Sequence, residues 1–496
     1  MTEPVFGITF NRQDDDPRSV IQPDMSTMAF VGTAPEADTD LFPVNTPVLV
    51  RTNDTVMRTA LGTTGDLPDA IRGVAGQLEE FQSATDVILV RVTAGANDFE
   101  TIANIIGNEA NFTGMWALLL AGPDLTLVPR IVGFPGKTHQ RQKQLKGGTI
   151  VPGSGGTPGT YPMVFTGGTS TVAATGTITV GPGGGITSFN FTNKGIYTVA
   201  PTLNLAGLTG LTGGSIPITL DPFANGIVAS AHALLAKLLA HAVVEGPGTT
   251  EAEIKDWRED ISSDRMIPID MWVKVQEGVD VATRPGAPRV MGLIAAVDYE
   301  HDGVPMHSAA NRPIRDIIGF VRTPNFSLTD GANEGQALLL ANIGIGVKGE
   351  LGLESAVANS GFIFIGTDNA SEDVLWQFYN VTRGRDFIHI GLLRTLRFFL
   401  GRNNITGHVI QQVLNTTRIW LNDLQTDGHI LGSDVGFEAD KNSPEKLRLG
   451  RFRFYFAAEE PPVLRRIDID SRRYRKALEF MVQDLLAQVQ PGSPAI

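Results

Sequence analysis

From residue 27 to residue 136 short apolar runs alternate with helical stretches, and this alternation limits the fold more than any other feature of the chain. TMAFVGTA, TPVLVRT and DVILVRVTAG read as strands, the last one buried. NDTVMRTALG reads as a short helix with Asn53 or Asp54 as its N-cap and Gly62 beyond its end. LPDAIRGVAGQLEEF and the capped DFETIANIIG are further helices, and PRIVGFPG (129–136) is a strand that ends in a turn. Strands taking turns with helices at this spacing predict a mostly parallel or mixed sheet.

At about residue 137 the composition breaks. Between Lys146 and Asp221 the one charged residue is Lys194, and Gly and Thr dominate. Runs such as Ile178–Val180, Ser188–Phe191 and Thr202–Leu205 read as short strands between glycine-rich turns. The expectation is a small β domain over 137–225, set into the α/β one and solvated on its outside. The α/β pattern resumes at 226. GIVASAHALLAKLLAHAVVEG (226–246) reads as one amphipathic core helix, TTEAEIKDWREDI as a helix capped by Thr249 or Thr250, and RMIPIDMWVKVQ as one strand. PRVMGLIAAVDYEHDG is a helix with Pro288 in its first turn, and GFIFIGTDN (361–369) a strand. Two strong helices follow, one opening after Gly384 and one ending before Gly428, then a hairpin-like pair, 428–437 and 447–457.

Both ends carry an isolated strand pattern. Phe6, Ile8 and Phe10 alternate with Gly7 and Thr9, and the acidic NRQDDDPRS follows. Near the other end Phe452, Phe454 and Phe456 alternate with polar residues, AAEEPP intervenes, and Ile467 and Ile469 alternate with Asp468 and Asp470. A strand at a chain end with nothing beside it in sequence raises the question of its partner.

Charge is uneven. Residues 1–375 hold 23 Lys and Arg against 40 Asp and Glu; residues 376–481 hold 17 against 12. The overall net charge of −13 argues against general nucleic-acid binding. The basic C-terminal part suggests a surface that meets something acidic. Arg383, Arg385, Arg394, Arg397 and Arg402 cluster on and around one helix, opposite an apolar face of Ile388, Leu392, Leu396 and Phe399. Arg394 and Arg397, three apart, share a face.

No catalytic constellation is convincing. Gly136-Lys137-Thr138 lacks the glycine that a phosphate cradle needs five positions earlier, where Ile131 stands, and Pro135 removes a donor. Lys137 is expected to be a solvated residue at a domain junction. In YEHDG, Glu300, His301 and Asp302 are adjacent, so a helix points them to different faces, and the glycine reads as a cap. His232 and His241, read on one helix, would stand about 13 Å apart, too far for one metal. Ser154 lacks nucleophile-elbow spacing. The chain has no cysteine, which excludes disulfides and thiol chemistry. The start MTEPVFGITF has no export signal, and no uninterrupted apolar run of about 18 residues exists. No enzyme activity, cofactor or metal is expected.

Several blocks together resemble the tail sheath proteins of contractile-tailed bacteriophages and R-type pyocins. They are TAPEADTDLFPVNTPVLV (33–50), PRIVGFPG, EIKDWREDISSDRMIPIDMWV (253–273), and the C-terminal run from NVTRGRDFIHIGLLRTLRFFLGRNNIT through WLNDLQTDGHILG to LRLGRFRFYFAAEEPPVLRRIDIDSRRYRKAL. Residues 137–225 resemble the variable outward-facing insertions of that family. The resemblance implies an α/β (mixed α+β) multidomain fold: an N-terminal arm 1–22, an inner α/β sheath domain in two parts, 23–136 and 226–375, the Gly/Thr-rich all-β outer insertion 137–225, a tube-proximal domain 376–460 and a C-terminal arm 461–496.

It also implies a structural role without cofactor. The arms, through Phe6, Ile8, Phe10, Ile467 and Ile469, would add strands to neighbouring copies, and the hairpin with Phe452, Phe454 and Phe456 would accept them. The five arginines would face an acidic tail tube. Partners would be other copies of the chain, a tail tube protein, and baseplate and tail terminator proteins, with no direct nucleic acid and no membrane insertion. The place would be a virion tail assembled in the bacterial host cytoplasm, where contraction drives the tube through the envelope for genome ejection. The residues alone leave open a second class, a surface or adhesin-like protein presenting the Gly/Thr module.

Overall fold

A computed structural model describes residue 20 and residues 22–79, 83–348 and 361–489. Phe6, Ile8 and Phe10 lie outside the described residues. The chain divides into two compact units, residues 1–461 and 462–496.

The first unit is built on a nine-stranded sheet. Its strands are β1 (Met28–Thr33), β2 (Pro47–Arg51), β3 (Asp86–Val92), β4 (Ile131–Gly133), β5 (His241–Glu245), β6 (Met266–Asp270), β7 (Arg312–Pro313), β8 (Gly344–Val347) and β9 (Ile363–Ile365), in the spatial order β7-β9-β8-β6-β5-β4-β1-β3-β2. The central six are parallel, and antiparallel β2 and the β9-β7 pair close the two edges. Both faces are covered, so alternate residues of one strand enter different cores. Met28, Phe30, Val87, Leu89, Ile131, Val243 and Ile267 enter one core with helices α1 (Asp66–Leu78) and α3 (Ala287–Glu300). Ala29, Val31, Ile88, Val90, Val132, Ala242 and Val244 enter the other, under α2 (Gly226–Leu238) and Trp257. Burial on both faces explains the near-continuous apolar runs. Each such Val, Leu, Ile or Phe contributes roughly 1.5–3 kcal/mol by leaving water.

Local rules set the helix ends. Asp54 caps Thr55–Ala60 through its side chain, and Asn97 caps Asp98–Ile106. Thr250 and Glu253 form a reciprocal capping box. Two expectations fail here. The 226–246 stretch is not one helix: α2 ends where Leu239 turns left-handed (φ 48°), and His241–Glu245 becomes the central strand β5. The β-branched pair Val243 and Val244 suits a strand buried on both faces. Likewise 266–277 is two strands. Met266–Asp270 lies in the main sheet, whereas Trp272–Glu277 pairs with Asp280–Pro285 and Gly319–Phe320 in a separate sheet.

Between β4 and α2 the chain forms short antiparallel pairs. Examples are Thr175–Val180 with Ile186–Asn193 and Gln142–Gly147 with Ile218–Phe223. Met163, Ile178, Val180, Ile186 and Leu203 make a small core there.

The last part of the first unit packs helix α4 (Tyr379–Leu396) and helix α5 (Gly407–Thr426) against an antiparallel hairpin, β10 (Gly432–Phe437) with β11 (Phe454–Glu459). Helix α4 begins six residues before the expected Arg385 start, and Gly384 lies inside it. Gly384 is held by packing on Met306 and Glu460, which leave no room for a Cβ. Gly391 is pressed in the same way onto the Trp420 ring of α5. The second unit is an extended stretch followed by α6 (Arg475–Val489). Ile467 and Ile469 are 70% and 82% exposed, and the strand expected at 467–470 is not formed within the chain.

Candidate assembly site

Two of the five predicted surface arginines turn inward. Arg383 is fully buried and forms a two-point ion pair with Asp298 of α3, at 2.6 Å and 3.1 Å. It also donates to the Met25 carbonyl, and Ser26 Oγ donates to Asp298. Arg383 is therefore not a tube-facing residue: it lies about three turns before exposed Arg394, in the part of α4 that the body covers. Arg385 pairs with the buried carboxylate of Glu460 at 2.7 Å and donates to the Ala458 carbonyl, beneath Trp376 and Phe456. It anchors β11 rather than a partner.

The third link is Asp386, which takes two hydrogen bonds from Arg265. Burial alone would raise the Asp386 carboxyl, but hydrogen bonds from His389 and Arg265 hold it well below the usual range. Buried His241 lies 3.9 Å away and is pushed down to about 3 by loss of water. Within about one turn of α4, Arg383, Arg385 and Asp386 are thus keyed to the body by three charge pairs. Removing one partner of such a pair leaves a buried charge uncompensated.

Arg394, Arg397 and Arg402 are exposed and join no ion pair among the described residues. Arg402 lies over the Phe398 ring at 5.0 Å. Exposed Leu393 and Leu400 lie beside them. The end of α4 and the turn that follows it therefore present three cations and two aliphatic side chains to solvent.

The hairpin stands apart from the main sheet. Strands β10 and β11 pair with each other from Gly432–Glu459 to Phe437–Phe454, and among the described residues no other strand joins either outer edge. Phe454 and Phe456 pack onto the core formed by Met306, Phe387, Ile388, Trp420 and Val435. Phe452 precedes β11 and stacks on Phe454 at 5.7 Å. One face is fixed by this core, so an added strand would have its register set by the pleat.

The fragments weighed for chemistry are absorbed by structure. Lys137 is mostly buried against Asp98 at 2.8 Å instead of being solvated. Thr138 is buried and hydrogen-bonds the backbone of Glu245 in both directions. The Glu245 carboxylate accepts from the Gly136 and Ala287 amides; burial pushes it up to about 7 against the pull of those two donors. Among the described residues no group of three or more His, Cys, Asp or Glu side chains is placed to hold a metal ion, and no helix is long and apolar enough to cross a membrane.

No family model matches the chain. A prophage protein of Pseudomonas aeruginosa (strain UCBPP-PA14) named as a major tail sheath protein is 26% identical over 220 residues, 44% of this chain and 54% of that protein. The chain thus spans about half the length of that relative. The tail sheath protein of Escherichia phage P2 is 20% identical over 467 residues, 92% of each chain. The chain resembles tail sheath proteins along nearly its whole length. The fold agrees. The sheath complex of an extracellular contractile injection system, solved in its contracted state, superposes with a TM-score of 0.56 at 12% identity, over 96% of this chain and 99% of that one. These sheath relatives are structural proteins, and the adhesin-like alternative draws no support from them. The identity to the solved sheath establishes common architecture alone, so the roles of individual residues rest on the geometry above.

Proposed function

We propose that this protein is the structural subunit of a contractile tail sheath, polymerising helically around a tail tube by exchange of terminal strands. The observation that carries the reading is the hairpin β10-β11, a two-stranded sheet with open edges, in a chain that also has an extended, exposed segment bearing Ile467 and Ile469. An isolated two-strand sheet is marginal in water, and an open edge is a template for another chain. In the assembled form Ile467–Asp470 of one copy, and Phe6–Phe10 of another, add to the hairpin of a third. Each cross-strand pair contributes roughly 0.2–1 kcal/mol, so one exchanged strand contributes a few kcal/mol. Because donor and acceptor are different surfaces, the contact is head-to-tail and generates a helix when the rotation does not close.

The segments NRQDDDPRS and AAEEPP are the hinges that let subunits rotate while the mesh stays joined. Contraction then draws on energy stored in the extended lattice at assembly, needs no nucleotide, and drives the tube through the envelope for genome ejection. Arg394, Arg397 and Arg402 face the tube; weak, screened charge contacts suit a surface that must release. The Gly/Thr-rich segment 137–225 lies outermost. Baseplate and tail terminator proteins cap the two ends of the polymer, which is assembled in the host cytoplasm and works in the virion tail.

The test is deletion of residues 1–20. The truncated chain is expected to remain a folded, soluble monomer that forms no sheath when mixed with tubes. Normal polymerisation of the truncated chain removes strand donation from that end.

A further inference from the structure

We propose that His301, His307 and His429 form an acid-sensitive latch that holds the α5–β10 turn against the end of α3. His301 is the residue that ends α3, His307 lies in the segment after it, and His429 sits between α5 and β10. The His301 and His307 rings stack at 3.5 Å, 13° from parallel. His307 Nε2 lies 3.4 Å from His429 Nδ1, and the two rings meet edge-on at 5.7 Å. Three imidazoles from three separate elements thus form one contiguous contact.

The proton inventory makes the contact conditional. His301 Nδ1 donates to the Val297 carbonyl at 2.9 Å, which fixes its tautomer. The His307–His429 bond needs one nitrogen with a proton and one without. A further proton on the accepting nitrogen sets N–H against N–H, and two charged rings at this distance repel. The surrounding charges oppose one another. Arg312, held by Glu300, disfavours a charge on His307, whereas Asp302 and Asp427 favour one on His429. Loss of water, then the neighbouring histidines and Arg312, push His307 down to about 4, and burial followed by His301 also lowers His429.

The placement gives protonation a mechanical consequence. His429 N–H closes the end of α5 onto the Leu424 carbonyl, and two residues later Leu431 N–H bonds the Glu459 carbonyl, starting the hairpin. On the other side, Met306 and Ala309 flank His307 and are fixed by Asn380 and Tyr379 of α4. The three rings therefore join the rigid α3–α4 body to the root of the hairpin. Acidification separates these two parts at the rings. The sign follows from linkage: a group whose folded value lies below its ordinary 6.5 binds more protons when released, so the closed state loses stability as pH falls from 6.5 toward about 4. For one fully buried histidine with these values, linkage at pH 5 makes opening about 30-fold easier. Solvent around these half-exposed rings reduces this to about tenfold.

The experiment is hydrogen exchange on the full-length monomer at pH 7.5 and pH 5.0, corrected for intrinsic rates, with His307→Gln and His429→Gln beside the wild type. Opening of peptides spanning 428–437 is expected to rise about tenfold in the wild type on acidification and to change less than threefold in either variant. His408→Gln, at the start of α5 and outside the cluster, is expected to behave as the wild type. Wild-type protection of 428–437 that does not change between the two pH values overturns the latch. So does an unchanged tenfold response in whichever of the two cluster variants folds. The experiment reads a single chain, so it can fail while the sheath reading stands, and the reverse.

Discussion

The fully buried Asp298–Arg383 pair makes a quantitative prediction. Asp298→Ala leaves the Arg383 guanidinium without its carboxylate, in a site with no solvent access, where the Met25 carbonyl is the remaining acceptor. Breaking a buried pair from one side costs about 3–5 kcal/mol. By contrast, Arg51–Asp86 at 2.8 Å is an exposed pair on the sheet edge, and Asp86→Ala is expected to cost under about 1 kcal/mol. The double variant Asp298→Leu with Arg383→Met replaces both charges by apolar groups and is expected to recover most of the loss, because well-packed hydrophobic replacement is often neutral. The assay is urea denaturation of the monomers, with hydrogen exchange of 379–396 showing whether α4 releases first. If Asp298→Ala shifts the unfolding midpoint no more than Asp86→Ala does, the claim that charge pairs key α4 to the body is wrong.

Three further outcomes follow from the same geometry. Gly391→Val drives a side chain into the Trp420 ring and is expected to destabilise by about 1–3 kcal/mol, read as a lower midpoint and altered tryptophan fluorescence. Arg394→Glu with Arg397→Glu, both exposed, is expected to leave the monomer's unfolding within about 0.5 kcal/mol of wild type while weakening co-assembly on tubes in a sedimentation assay. Burial holds His241 down at about 3 and His139 at about 4, so unfolded chains bind protons that the fold refuses, while Glu245 and Asp270, pushed up by burial to about 7 and about 6, act in the opposite direction; the histidines outweigh them, so the unfolding temperature is expected to fall as pH drops from 6.5 toward 4, and to fall less in His241→Gln.

The parts of the fold legible in the sequence are those where local pattern and burial agree. β1, β3 and the helices capped by Asp54, Asn97 and Thr250 were all readable, because a cap and a period are local signals. The 226–246 run misled because alanine and leucine continue the helical pattern up to Leu239, and only its left-handed turn divides helix from strand. The 266–277 run misled because one apolar alternation serves two sheets. Arginine spacing could show that Arg394 and Arg397 share a face, but not that Asp298, 85 residues before Arg383, waits beneath the helix. The histidine cluster was invisible for the same reason: His429 is 122 residues from His307 in sequence and reaches it through the fold. The sheath resemblance came from the order of blocks along the chain, a long-range property of sequence that survives when no single motif is specific.

What covers the open edges of β10 and β11 is tested most directly by a helical reconstruction of the protein assembled on tubes. The expected result is four strands in one sheet, with 6–10 and 467–470 arriving from other copies to flank 432–437 and 454–459. A reconstruction with those edges bare, or with the terminal segments folded back onto their own subunit, contradicts it.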